Sequence, residues 1–482
     1  MKNIILNLSI LISISFFAQA QKKNSEIDIL KIITHNASTL QNINGGNSVS
    51  IGVIKDGKTF TKHFGELNIG KGNKATNETL FEIASITKIF TGLLMAKAVL
   101  EKKADLEDDI RKYLTENYTN LEFQRKPIKI RDLLSFKSGF SKDLPDNSEI
   151  RKNGNDSVTF NLKKLDQSYN KNQFFKDLKQ IKLDTFPGTK YNYNNLNLEL
   201  TAHILENIYK KSYQTLLTEN IISKLEMNST QMSITDESLI ANGYNENNIL
   251  MPKMSNNLWG SAGFLKSTLN DLLKLIKFEL NPHNKIATES QKNLNNDNQN
   301  WNGYFWDLIK VDENGKSCWK HGGAYGSQTM FVIYPELNLG ISIITNKSGS
   351  KTSDAIHKTI SDIVEDLKPE SNPKSKLEIY GYKLSENDII FTYKHNTSLN
   401  SQLVKTISVA GSFNEWNPNN SKYKMVRKNN NYFELKIPKS EFTMENNYLF
   451  KFVINNENWI STPKNAINAE KNEDRNLILK LK

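Results

Sequence analysis

Phe81-Glu82-Ile83-Ala84-Ser85-Ile86-Thr87-Lys88-Ile89-Phe90-Thr91-Gly92-Leu93-Leu94 leads into a helix expected from Ser85 to Leu100, with Ile89, Phe90, Leu93 and Leu94 at helical spacing. Ser85 and Lys88 stand three residues apart at its start, so their side chains share one face, about one turn apart. A serine hydroxyl is a poor nucleophile until a neighbour takes its proton. A lysine can do so when burial lowers its pKa, and a helix start favours the negative charge that develops there. The same Ser-x-x-Lys spacing recurs at Ser168/Lys171, Ser317/Lys320, Ser348/Lys351 and Ser421/Lys424. Only Ser85 is preceded by Phe81-Glu82-Ile83-Ala84 and followed by an amphipathic helix.

Upstream, Val49 to Ile54 alternates as a strand after a polar bridge, Lys55-Asp56-Gly57-Lys58 makes a turn, and Thr59 to Phe64 returns. Downstream, helices are readable at Lys129 to Leu134, Leu196 to Tyr209 and Asp271 to Leu280, the last with Thr268 as N-cap partner of Asp271. Strands follow at Lys316 to Lys320, Thr329 to Tyr334 and Leu339 to Thr345, then a helix from Ser353 to Leu367. Strands at both ends with helices between predict an α+β domain whose sheet joins distant parts of the chain.

Two further segments carry chemistry. Pro187-Gly188-Thr189-Lys190-Tyr191-Asn192-Tyr193-Asn194-Asn195 is a turn, a Tyr-x-Asn and then a helix. A phenol there can relay a proton with the lysine, and an amide can orient lysine and substrate. Taken alone, Tyr193 serves equally as a core residue and Asn195 as a helix cap. His321-Gly322-Gly323-Ala324 precedes the strand from Thr329. Paired glycines let a substrate lie close to an edge strand whose backbone N–H serves an oxyanion, or simply make a tight turn.

Together, in this order, these segments resemble the serine β-lactamase and penicillin-binding-protein superfamily. The class C branch, which also holds esterases and D-amino-acid peptidases, is most alike. The resemblance runs from about Ser48 to Leu367 and includes Ile130-Arg131-Asp132-Leu133-Leu134-Ser135 and Ser261-Ala262-Gly263. It implies an antiparallel sheet flanked by helices plus an all-helical lobe, and an acyl-enzyme mechanism without metal or cofactor. By that likeness Ser85 attacks a carbonyl, Lys88 and Tyr193 shuttle the proton and Asn195 assists. The N–H groups of Ser85 and Ala324 hold the oxyanion. His321 and Gly322 stand where antibiotic-destroying members carry Lys and Thr, which grip a β-lactam carboxylate; a largely neutral His is a weaker clamp. Phe136-Lys137 replaces a common His-Thr pair. Both departures point toward an esterase or peptidase rather than a β-lactamase or D-Ala-D-Ala carboxypeptidase.

Beyond a polar, proline-containing linker at 368–376 the texture changes. Residues 377–482 read as short strands between Asn-rich turns, a small all-β domain. Val409-Ala410-Gly411-Ser412-Phe413-Asn414-Glu415-Trp416-Asn417-Pro418 and Tyr448 to Ile454, followed by Trp459, place tryptophans among polar residues. Indole rings stack on sugar faces, though they also plug sandwich cores. The segment resembles the glycogen-binding domain of the AMP-activated kinase β subunit, an immunoglobulin-like sandwich. That likeness implies glucan contacts at Trp416, Lys451, Trp459 and Asn476. Thr462-Pro463 replaces the family's Asp-Pro, and the glycine before the final Asn is missing. A glycan binder with an inactive first domain is the rival reading; joint retention of Ser85, Lys88, Tyr193 and Asn195 argues against it.

Lys2, the apolar run Ile4 to Phe17 and Ala18-Gln19-Ala20 read as a signal peptide over 1–20, leaving a hydrolase domain at 21–367 and an exported, periplasmic or extracellular protein. The run is too short to span a bilayer. Cys318 is the single cysteine, so no internal disulfide forms. Among 482 residues, 63 Lys+Arg against 52 Asp+Glu give a net charge of +11, but the basic residues are scattered, which excludes a nucleic-acid track. The expected partners are a small ester, amide or peptide substrate and an α-glucan-like polysaccharide.

Overall fold

The structure, a computed structural model, describes residues 26, 28–152, 157–294, 300–312, 314–368, 379–394, 404, 406–428, 432–443, 447–460, 462, 466–470 and 475–481. The signal segment 1–20, linker residues 369–376 and Pro463 lie outside the described residues. The chain divides into two compact units, Met1–Lys368 and Pro369–Lys482. No helix among the described residues is long and apolar enough to cross a membrane.

The first unit is built on a seven-stranded antiparallel sheet. Its strand order is Lys58–Phe64, Val49–Lys55, Leu339–Thr345, Gln328–Tyr334, Gly315–Gly323, Leu308–Asp312, Asn300–Trp301. Val49–Lys55 and Leu339–Thr345 are buried on both faces, the small alternate residues Ser50, Gly52, Gly340 and Ser342 included. On one face Val49, Ile51, Val53, Met330, Val332, Ile341 and Ile343 pack with Ile33, Ala37 and Leu40 and with Ile356, Ile360 and Ile363 of the helix Ser350–Leu367. On the other, Ile309, Cys318, Phe331, Ile333 and Ile344 join the core of the helical lobe with helices Thr87–Leu100, Leu196–Tyr209 and Leu269–Leu280. Thr268 caps the last of these, accepting the Asp271 N–H at 3.2 Å.

The bridge ahead of Val49 is not irregular: residues 28–43 form a helix, anchored by Ile33, Ala37 and Leu40 at i, i+4 and i+7. Helices Val158–Ser168 and Lys171–Leu178 also appear where none was expected. The α-helix after Ser85 begins at Thr87, and Ser85 itself lies in a single 3-10 turn, Ala84–Ile86.

The second unit carries only strands and single 3-10 turns among its described regular elements. One sheet orders Tyr382–Leu384, Asp388–Lys394, Tyr432–Pro438 and Val426–Arg427. The other orders Ile407–Gly411, Tyr448–Ile454 and Asn458–Trp459, with Leu477–Leu479 also paired to Tyr448–Ile454. Alternate residues of both sheets, among them Ile389, Phe391, Val409, Leu435, Phe450 and Phe452, share one core.

Candidate active site

The turn that carries Ser85 is entered through Ala84 at φ +44°, a left-handed conformation that costs an L-residue about 1 kcal/mol or more. The hydroxyl it presents is held from two sides. Ser85 Oγ accepts from Lys88 Nζ at 3.1 Å and from the Tyr193 hydroxyl at 2.8 Å. Lys88, one helical turn on and 1% exposed, also donates to Asn195 Oδ1 at 2.8 Å and to the Ala262 carbonyl. Burial, and then the charge of Lys320, push its pKa down to about 7. A substantial share of this lysine is therefore a neutral amine, able to take a proton, near neutral pH.

Tyr193 is 42% exposed and stacks on Phe136 at 4.8 Å and 27°. Crowding around its hydroxyl and the nearby Asp307 charge hold the phenol well above its ordinary pKa, so it stands as a donor. Asn195 starts the helix Leu196–Tyr209 but does not cap it with its side chain, which goes to Lys88. Asp143 takes over at that helix start, accepting from the Asn195 and Leu196 N–H groups at 3.1 and 2.8 Å.

The third segment differs from expectation by one position. Gly322 faces the serine turn: a Cβ there would lie 2.3 Å from the Ile83 carbonyl oxygen and 3.1 Å from Ile86. Side chains alternate along a strand, so His321 faces the opposite side of the sheet. Its ring lies 6.2 Å from His357 of the helix Ser350–Leu367 and does not line the cleft. The side chain on the Ser85 face is Lys320, fully buried, donating to the Phe305 carbonyl at 2.9 Å and to Asp307 Oδ1 at 2.5 Å. Its Nζ sits 5.3 Å from the Tyr193 ring centre. The backbone donor shifts too. The Ala324 N–H is spent on the Ser327 carbonyl at 2.9 Å. In an antiparallel ladder N–H directions alternate, and the His321 N–H already points outward, to Asp307 Oδ2 at 2.8 Å. The Gly323 N–H, two residues on, points the same way, and Gly323 lines the cavity beside Ser85. His321 and Ala324 are thus replaced at the site by Lys320 and Gly323.

Sequence reasoning passed over Lys320, Asp307, Asp143 and Glu199. In the sequence the Ser317/Lys320 pair is one more recurrence of the Ser-x-x-Lys spacing, and the acids meet the site only through tertiary contacts. Glu199 is 2% exposed, one turn after Asn195, with its pKa pushed up to about 7 by burial. The cavity beside Ser85, about 170 Å³, is polar, with Asn147, Asp166, Ser255, Asn256 and Tyr325 in its wall.

In the second unit the Trp416 and Trp459 rings lie 6.1 Å apart at 47°, with Trp459 45% exposed. Lys451 and Val453 point to one side of their strand, and Trp459 pairs with Val453, so Lys451 shares the side of Trp459. Asn476 precedes the strand whose Leu477 pairs with Phe450, and donates to Glu470 at 2.7 Å.

The Beta-lactamase family model matches residues 36–364. The chain belongs to the beta-lactamase family. Protein flp of Staphylococcus aureus (strain N315) is 30% identical over 343 residues, 67% of this chain and 63% of the relative. Protein flp of strain MRSA252 is 30% identical over 317 residues, 62% of this chain and 59% of the relative. A Beta-lactamase of Yersinia enterocolitica is 23% identical over 394 residues, 72% of this chain and 95% of the relative. This beta-lactamase-family chain therefore spans 59–63% of the length of those two Staphylococcus relatives.

Proposed function

We propose that the chain is an exported serine hydrolase that cleaves an ester or amide through an acyl-Ser85 intermediate and is held on an α-glucan-like polysaccharide by its second unit. The observation that carries the catalytic reading is the double hydrogen bond at Ser85 Oγ, from a depressed-pKa lysine and from a phenol. Neutral Lys88 takes the serine proton as Oγ attacks the carbonyl carbon. The N–H groups of Ser85 and Gly323 receive the oxyanion, and the proton held by Lys88 returns by way of Tyr193 to the leaving group, which departs as alcohol or amine and leaves Lys88 neutral and Tyr193 protonated. Water then attacks the acyl-enzyme by the reverse relay. Ser85→Ala is expected to abolish turnover of p-nitrophenyl acetate while the melting temperature holds; undiminished turnover removes the mechanism.

A β-lactamase or D-Ala-D-Ala carboxypeptidase is the second reading, favoured by the Yersinia relative's name. Against it, the ammonium on the site face, Lys320, is fully buried and committed to Asp307 and the Phe305 carbonyl, which leaves it a poor grip for a substrate carboxylate. Nitrocefin and a D-alanyl peptide assayed beside an aryl ester separate the two.

Export rests on the N-terminal pattern Lys2, Ile4 to Phe17 and Ala18-Gln19-Ala20. Sequencing the secreted protein from Gln21 supports it; an uncut N-terminus in the cytosol removes it. The polysaccharide reading takes the second unit as an immunoglobulin-like, glycogen-binding-type domain, supported by the adjacent Trp416 and Trp459 rings and Lys451. Retention on amylose or cyclodextrin resin tests it.

A further inference from the structure

Helix Leu196–Tyr209 presents two side chains to the same place: Asn195 at its start and Glu199 one turn later. Asn195 holds the Lys88 ammonium directly. Glu199 does something different. Its Oε2 accepts the Trp259 N–H at 3.0 Å, at the head of a short strap, Trp259-Gly260-Ser261-Ala262. The far end of that strap is the Ala262 carbonyl, which receives Lys88 Nζ. Between the two ends Thr91, one turn after Lys88, donates to the Ser261 carbonyl at 2.9 Å, and its hydroxyl is 2.7 Å from that of Tyr213. The strap is thus pinned to one helix by Glu199 and to the other by Lys88 and Thr91. Glu199 also lines the cavity that opens on Ser85 and Asn195.

We propose that Glu199 is the positioning residue for Lys88, anchoring the strap whose last carbonyl seats the ammonium and supplying the buried negative charge that faces it. The proposal rests on the reading of Lys88 as the base for Ser85. A fully buried carboxylate held by the Trp259 and Ala262 N–H groups at the two ends of the strap is still expensive unless a cation offsets it, and Lys88 is a cation felt by Glu199. Around Lys88 the other charges are Lys320, which disfavours its ammonium, and Asp307 and Asp143, which with Glu199 favour it. Asp307 is paired with Lys320, and Asp143 is held by three backbone N–H groups of Leu144, Asn195 and Leu196. Tyr193 and Tyr213 also face the pair, both with raised pKa values and so uncharged, and Arg151, Asp166, Tyr169 and Tyr325 line the same cavity as Glu199.

The test is the pH dependence of Ser85 labelling by a fluorophosphonate, which needs no knowledge of the natural substrate. Glu199→Gln keeps an oxygen for the Trp259 N–H but loses the charge. The ammonium is then less favoured, and the acid limb of the labelling profile moves about one unit to lower pH. Glu199→Asp keeps the charge but is one methylene short of Trp259, so the limb stays while the plateau rate falls about tenfold. A Glu199→Gln profile that superposes on the parent, or a Glu199→Asp plateau equal to the parent's, overturns the proposal. Failure of the underlying mechanism reads differently: Lys88→Ala would then label as fast as the parent. Should Glu199→Gln not fold, the Glu199→Asp plateau still decides.

Discussion

A side chain on Gly322 would drive its first carbon to 2.3 Å from the carbonyl oxygen of Ile83, two residues before the nucleophile. The oxygen is backbone and a Cβ is fixed rigidly to its own backbone, so one segment must move. Gly322→Ala therefore displaces the turn that carries Ser85. The expected result is a fall of about 100-fold in kcat on an aryl ester, since displacements near 1 Å cost this much, with only a modest loss in melting temperature. Unchanged kcat would mean that the turn tolerates the shift.

Lys320 and His321 lie next to each other and face opposite ways. Lys320→Met removes the ammonium beneath Tyr193 and leaves Asp307 without its partner. Activity should drop by at least about 100-fold. His321→Ala should leave kcat/KM within about threefold of the parent, because its ring packs on the helix side of the sheet. The reverse pattern would restore His321 to the site.

With Lys88 depressed to about 7, kcat/KM for a neutral ester should rise with pH along a limb centred near pH 7 and level off above it. The same shift has a stability sign. The folded pKa lies below the ordinary 10.5, so the folded state binds fewer protons; the penalty is full below about pH 7 and vanishes as pH climbs past 10.5. Lys88→Met should therefore abolish activity yet melt higher than the parent at pH 6, with the gap closing by pH 10. Thermal melts across that range check it; a gap that widens with pH contradicts it.

In the second unit, Trp416→Ala and Trp459→Ala should each weaken binding to β-cyclodextrin about tenfold, the ~1.4 kcal/mol of one stacking face. Calorimetry on the full chain measures this. Unaltered affinity in both would assign the pair to packing alone.

Much of the first unit was legible because its decisive elements are strongly periodic. The apolar strands from Val49 and Leu339 and the helix after Ser85 announce themselves by composition and spacing. The helix at 28–43 did not, because its apolar residues bunch at its start, Ile29, Leu30, Ile32 and Ile33, and only Ala37 and Leu40 carry the buried stripe on through a polar stretch. The trio Ser85, Lys88 and Tyr193 could be named from local motifs, whereas the direction in which Lys320 and His321 point depends on strand register, which a Lys-His-Gly-Gly run leaves open by one residue. Asp143 and Glu199 were hidden for another reason. Their importance arises from groups 52 to 60 positions away, the Asn195 amide and the Trp259 N–H, and no short pattern encodes that distance.

Val49 pairs with Thr345 inside the sheet, nearly three hundred positions apart along the chain. The sheet interior can close only when its last strand has been made and brought back to the first, a costly loop that slows the search. Gly322 likewise lies more than two hundred positions after the serine turn it packs against, so that turn has no strand beside it until the chain has been made that far. The groups around Ser85 are therefore brought together only after the chain has been made past Gly323 and has folded back, and the hydroxyl gains its setting late in synthesis.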